Sequence, residues 1–96
     1  MQVKEAFGKA FKYARKSKNL TQEDFSTVSS RTYISIIERG EKAITIEKLD
    51  ELAKQLGIHP VALLALTYSE YDKETGWKEL LDKSLKQLEQ IADSRT

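Results

Sequence analysis

Apolar residues recur at three- and four-residue steps along nearly the whole chain, and no segment shows the two-residue alternation of a strand. That spacing allows little besides helices with one buried face each. Val3, Phe7, Phe11 and Ala14, with Ala10 beside them, predict a first helix from about Val3 to Lys18, with Asn19 as its stop. Gly8 lies inside it at a cost of roughly 1 kcal/mol against alanine, which suits a close helix contact. Thr21 reads as an N-cap for a short helix over Gln22 to Val28. Ser29-Ser30 interrupts, and either serine can cap the next helix, from about Arg31 to Arg39. Ile34 and Ile37 are its buried residues, and Gly40 is its left-handed terminator. Thr45 caps a fourth helix with the stripe Ile46, Leu49, Leu52, Ala53 and Leu56, ended by Gly57. His59-Pro60 opens a fifth, from Pro60 to Leu66, with Val61, Leu63 and Leu64 toward the core. Thr67 to Gly76 reads as a polar connection. Trp77, Leu81, Leu85, Leu88 and then Ile91 or Ala92 mark a final helix of about four turns.

One compact core suffices for 96 residues. With 40% hydrophobic and 32% charged residues the chain has globular composition. No apolar run approaches the roughly 20 residues that cross a bilayer, and Met1 to Glu5 lacks a signal-type apolar stretch. A cytoplasmic location is the resulting expectation. The absence of cysteine leaves no disulfide framework and no thiolate metal site. His59, the single histidine, reads as an N-cap beside Pro60, so no metal and no cofactor is expected. No glycine-rich phosphate loop and no convergent Ser/His/Asp set suggests an enzyme.

The net charge of +1 hides an asymmetry. Residues 1–42 hold nine Lys/Arg against five acids, giving +4, and residues 43–96 carry −3. One end therefore suits an anionic partner, although solvated helix surface accounts for the same split.

The most informative stretch is Thr21 to Gly40, in which two short helices lie back to back and the second exposes Arg, Thr, Tyr and Ser near its start. Such a helix fits a DNA major groove with its first residues toward base edges. Together with Phe11-Lys-Tyr-Ala-Arg15, Leu20-Thr-Gln-Glu-Asp-Phe25, Ile34-Ser-Ile-Ile-Glu-Arg-Gly40, Ile46-Glu-Lys-Leu-Asp-Glu-Leu-Ala53 and Leu56-Gly-Ile58, it resembles the Cro/C1-type (Xre-like) helix-turn-helix proteins. The resemblance spans about residues 5–66. It implies an all-α, lambda-repressor-like five-helix DNA-binding domain over residues 1–67, followed by a connection and C-terminal helix over 68–96. Family members usually have a longer link before the recognition helix, commonly with glycine. Here Phe25-Ser-Thr-Val-Ser-Ser-Arg is short and glycine-free.

The resemblance places Arg31 and Thr32 at base edges. Arg31 can donate two hydrogen bonds to guanine. Tyr33 either touches a thymine methyl or a phosphate, or packs against the shortened turn. Ser35 and Ile36 lie farther along the same face, where Ile36 would meet a thymine methyl. Gln22 matches the family's phosphate-contacting glutamine, and Ser29, Ser30, Arg39 and Lys42 suit the flanking DNA backbone. The resemblance also pairs Arg15 with Glu38 as a structural ion pair. The C-terminal stripe either folds back on its own domain or pairs with a second copy, and a dimer interface of Trp77, Leu81, Leu85 and Leu88 is the expectation. The functional expectation is a homodimeric repressor or autoregulator on an approximately palindromic double-stranded DNA site. The alternative is an antitoxin-like module that neutralises a partner protein.

Overall fold

The computed structural model describes residues 1–94. Five α-helices and one short 3₁₀ segment follow each other: α1 over Val3–Ser17, the 3₁₀ turn over Gln22–Phe25, α2 over Arg31–Glu38, α3 over Ile46–Leu56, α4 over Pro60–Tyr71 and α5 over Trp77–Ser94. The described residues contain no strand.

The helix ends follow from side-chain chemistry. Ser30 Oγ accepts from the Tyr33 N–H at 3.1 Å, and Thr45 Oγ1 accepts from Lys48 N–H at 3.0 Å. His59 Nδ1 accepts from Val61 N–H at 3.0 Å, beside a proline whose missing donor costs nothing at that position. α1 ends at Asn19 with φ 57°, a left-handed conformation that asparagine tolerates. α2 gives way to Gly40 at φ 73° and α3 to Gly57 at φ 76°.

Phe7, Phe11, Phe25, Ile34, Ile37, Leu49, Leu52, Leu56 and Leu63 form one core. Phe11 meets Phe25 edge-on at 5.0 Å between ring centres, which ties the 3₁₀ turn to α1. α1 lies against both α4 and α2. Its close approach to α2 depends on Gly8, because a Cβ there would stand 2.8 Å from the Glu38 carbonyl oxygen and collide with that of Ile37.

Three sequence expectations change. The helix anticipated over Gln22 to Val28 is a 3₁₀ turn that ends at Phe25, followed by turn residues. Its larger rise per residue covers the distance with fewer residues, which answers the shortness of the link. The fifth helix continues past Leu66 to Tyr71, leaving only Asp72 to Gly76 as the connection. Thr67 looks like linker in sequence but is buried, its hydroxyl donating to the Leu63 carbonyl at 2.8 Å. Finally, Val3, Ile46, Val61 and Leu64 are exposed rather than core-facing, Ile46 to 81%. Ile46 directly follows a cap, and side chains there project back beyond the helix start.

Candidate nucleic-acid interface

The positioning of α2 begins with its two apolar anchors. Ile34 and Ile37 are fully buried, three residues apart, and they turn the opposite face of an eight-residue helix outward. Arg31 and Thr32 on the first turn are exposed, and Ser35 one turn later is half-buried. Together with Gln22 and Arg39 they surround an open polar cleft of about 280 Å³.

A charged tie fixes the far end of α2. Arg15 Nε donates to Glu38 Oε2 at 2.6 Å and Arg15 Nη2 donates to Glu38 Oε1 at 2.9 Å. The third direction of the guanidinium is used as well, with Nη1 donating to the Leu20 carbonyl at 2.8 Å. Both side chains are nearly buried, and this two-pronged geometry is among the stronger hydrogen-bonded arrangements. The bond to Glu38 raises the Arg15 pKa, outweighing the opposing effect of burial, so the guanidinium stays charged. Gln22 Nε2 donates to the same Glu38 oxygen, Oε1, at 3.1 Å. One N–H of the Gln22 amide is thus committed inward and the second remains for an outside acceptor.

The other polar side chains divide by what holds them. Arg31 Nη1 meets Glu23 Oε1 at 3.0 Å, both side chains about 70% exposed. A pair this open contributes at most about 1 kcal/mol, so an incoming anion competes with it easily. Arg39 pairs with Glu41, Nε to Oε2 at 3.0 Å, and also donates to Ser35 Oγ. The Arg39–Glu41 bond lowers the Glu41 pKa and raises that of Arg39. Ser30 spends its oxygen on capping α2 and keeps its hydroxyl proton for a further acceptor. Ser29 is half-buried, its N–H bonded to the Phe25 carbonyl at 2.9 Å. Ile36 is half-buried.

Tyr33 sits apart from this cleft in character. Its half-buried ring packs against the core, with the Lys42 ammonium 5.3 Å and the Lys48 ammonium 5.4 Å from the ring centre. Lys48 was not anticipated from the sequence. Its ammonium donates to the Val28 carbonyl at 2.9 Å, and Gln55 Nε2 donates to the Asp24 carbonyl at 3.0 Å. Two carbonyls left over by the short turn are therefore satisfied from α3. The partners lie 20 and 31 residues apart in sequence, so local spacing carries no trace of them. Glu23, the counter-ion of Arg31, was likewise unmarked.

The stripe Trp77, Leu81, Leu85, Leu88 lies on α5, which has no buried residue. These side chains are 50, 38, 54 and 63% exposed, and Trp77 and Leu81 border a recess with Ala62, Ala65 and Leu66 of α4. Among the described residues no cluster of His, Cys, Asp or Glu could hold a metal ion, and no helix is long and apolar enough to cross a membrane.

Comparison with known proteins agrees with this geometry. A helix-turn-helix family model matches residues 11–63, which include α2 and the elements that hold it. Over 64 residues the chain is 39% identical to the control protein C.BamHI of Bacillus amyloliquefaciens, covering 64% of this chain and 79% of that protein. Over 69 residues it is 38% identical to an uncharacterized HTH-type transcriptional regulator of Sinorhizobium fredii, covering 70% of this chain and 90% of the relative. The fold matches the crystal structure of the clp gene regulator ClgR from Corynebacterium glutamicum with a TM-score of 0.68 at 22% identity, over 99% of this chain and 95% of that one. The chain belongs to the Cro/C1-type helix-turn-helix family of transcriptional regulators.

Proposed function

We propose that this protein is a sequence-specific double-stranded DNA-binding transcriptional regulator, a homodimeric repressor or autoregulator that reads the major groove with α2. The observation that carries the reading is the exposed polar edge of α2, held rigidly from behind by Ile34, Ile37 and the Arg15–Glu38 pair. Arg31 and Thr32 meet base edges, with Ser35 and Ile36 one turn farther along. Gln22, Ser29, Ser30, Arg39 and Lys42 bind the flanking phosphates. Tyr33 closes the inner edge of this contact surface, its ring steadying Lys42.

The largely exposed stripe of α5 joins two copies through Trp77, Leu81, Leu85 and Leu88. Two such subunits place their α2 helices about 34 Å apart, one turn of DNA, on an approximate palindrome. Phosphate contacts supply much of the affinity, which therefore falls steeply with salt. The helices up to Tyr71 make up the DNA-binding domain, Asp72 to Gly76 the connection and α5 the dimerisation element, and the protein acts in the cytoplasm.

Selection of bound fragments from a random duplex pool tests the reading. Recovery of a two-fold related motif with half-sites one turn apart is the expected result. Equal retention of all sequences at moderate salt overturns it.

A further inference from the structure

Away from the α2 edge, the start of α1, the loop after α2 and the faces of α3 and α4 enclose an open groove of about 370 Å³. Its floor contains Phe7 and Leu49, both nearly buried, and its walls include Ile46, Leu64 and Tyr68, all substantially exposed. The volume lies within the range of small-molecule sites.

The charge at this groove is one-sided. Lys4 and Lys42 line it, and no carboxylate does. The two acids nearest to them in sequence are engaged elsewhere. Glu5 Oε1 accepts from the Gln2 N–H at 2.8 Å, and Glu41 is held by Arg39. Neither Lys4 nor Lys42 has an ion-pair partner among the described residues. An apolar trough with two unmatched ammonium groups is complementary to a molecule with a hydrocarbon body and a single anionic head.

We propose that this groove binds an amphipathic monocarboxylate of medium chain length, its tail on Phe7 and Leu49 and its carboxylate between Lys4 and Lys42. The groove also has a route to the α2 edge. Lys48 is anchored by the Val28 carbonyl and Glu51, whereas Lys42 is held only by the Tyr33 ring. A bound carboxylate draws Lys42 from that ring and from the phosphate assigned to it above, so ligand and DNA oppose each other. This coupling rests on the proposed DNA contact of Lys42, while the site itself does not.

The test is titration of the full chain with octanoate, followed by calorimetry and by the methyl resonances of Ile44, Ile46 and Leu49. Saturable binding is expected. Lys4→Gln and Lys42→Gln together should weaken it about tenfold, as loss of charge-assisted hydrogen bonds requires, with helicity unchanged. Leu64→Trp should fill the groove and abolish binding. Octanol or octylamine binding as tightly as octanoate, no saturable binding at millimolar octanoate, or the same resonance shifts on raising protein concentration alone would each overturn the proposed site. The last outcome would assign the groove to a second copy of the chain. DNA affinity is read separately. Octanoate that binds but leaves DNA affinity unchanged refutes the coupling, and a protein that binds octanoate but no DNA refutes the function proposed above.

Discussion

Residues 3–71 and the helix α5 are built on opposite terms. In the first region every helix places apolar side chains in the common core. α5 has as regular a stripe, yet none of its residues is buried. The same periodicity therefore marks two different things. In α1 to α4 it records packing completed within the chain, and in α5 it marks a largely exposed face, the one proposed above to meet a second copy.

The largest effect should come from the core. Phe11 is fully buried between the rings of Phe7 and Phe25, and Phe11→Ala should cost about 3–5 kcal/mol in denaturant unfolding. Next is the Arg15–Glu38 pair. Glu38→Ala leaves a nearly buried guanidinium without its counter-charge and should cost about 3 kcal/mol. Adding Arg15→Met to that variant should recover part of the loss. If the double variant is no more stable than Glu38→Ala, the cost does not lie in the stranded charge.

The corresponding change on α5 should leave the fold alone. Leu85 and Leu88 are more than half exposed, so Leu85→Asp with Leu88→Asp should move unfolding free energy by no more than about 0.5 kcal/mol per site. Light scattering should nonetheless shift from dimer to monomer, and DNA affinity should fall more than about tenfold, or about 1.4 kcal/mol. Loss of the fold in this variant, or an unchanged dimer, would erase the distinction between the two regions.

Much of the frame was legible in the sequence because its signals are local. Ser30, Thr45 and His59 cap the helices they precede, and Gly40 and Gly57 supply positive φ where helices stop. Gly8 marked a close contact, although not its partner, the backbone of Ile37 and Glu38. Other features were hidden because they depend on distant contacts. The 3₁₀ turn and the residues after it take their shape from Phe25 meeting Phe11 and from side chains of α3 that reach the Asp24 and Val28 carbonyls. Ile46 and Val61 belong to regular helices, but periodicity does not tell which flank of a stripe lies at the domain edge. Thr67 misled in the opposite direction, since a polar residue that bonds its own helix can be buried at little cost. At the α2 edge the chemical types could be read, while the competing partners Glu23 and Glu41 and the placement of Lys42 against Tyr33 could not.

Those competing partners set the smallest and most discriminating effects. Arg31→Ala should remove about 1–3 kcal/mol of discrimination at one base pair and relax preference there. Lys42→Ala should weaken binding to all duplexes alike and reduce the slope of affinity against salt by about one. If both variants weaken every sequence equally, Arg31 is a phosphate contact. Glu41→Gln acts in the other direction. Glu41 pairs with Arg39, so it competes with the phosphate proposed for Arg39 and adds a negative charge beside it. Its removal should therefore tighten binding of all sequences by a modest, salt-dependent factor, about twofold to fivefold, the scale of a single exposed pair. Acidification should mimic the substitution only below the ordinary carboxylate range, because Arg39 lowers the Glu41 pKa and keeps it ionised as the pH falls. A gain that appears already near neutral pH would require another titrating group, and no gain at all would mean that Arg39 does not reach the DNA backbone.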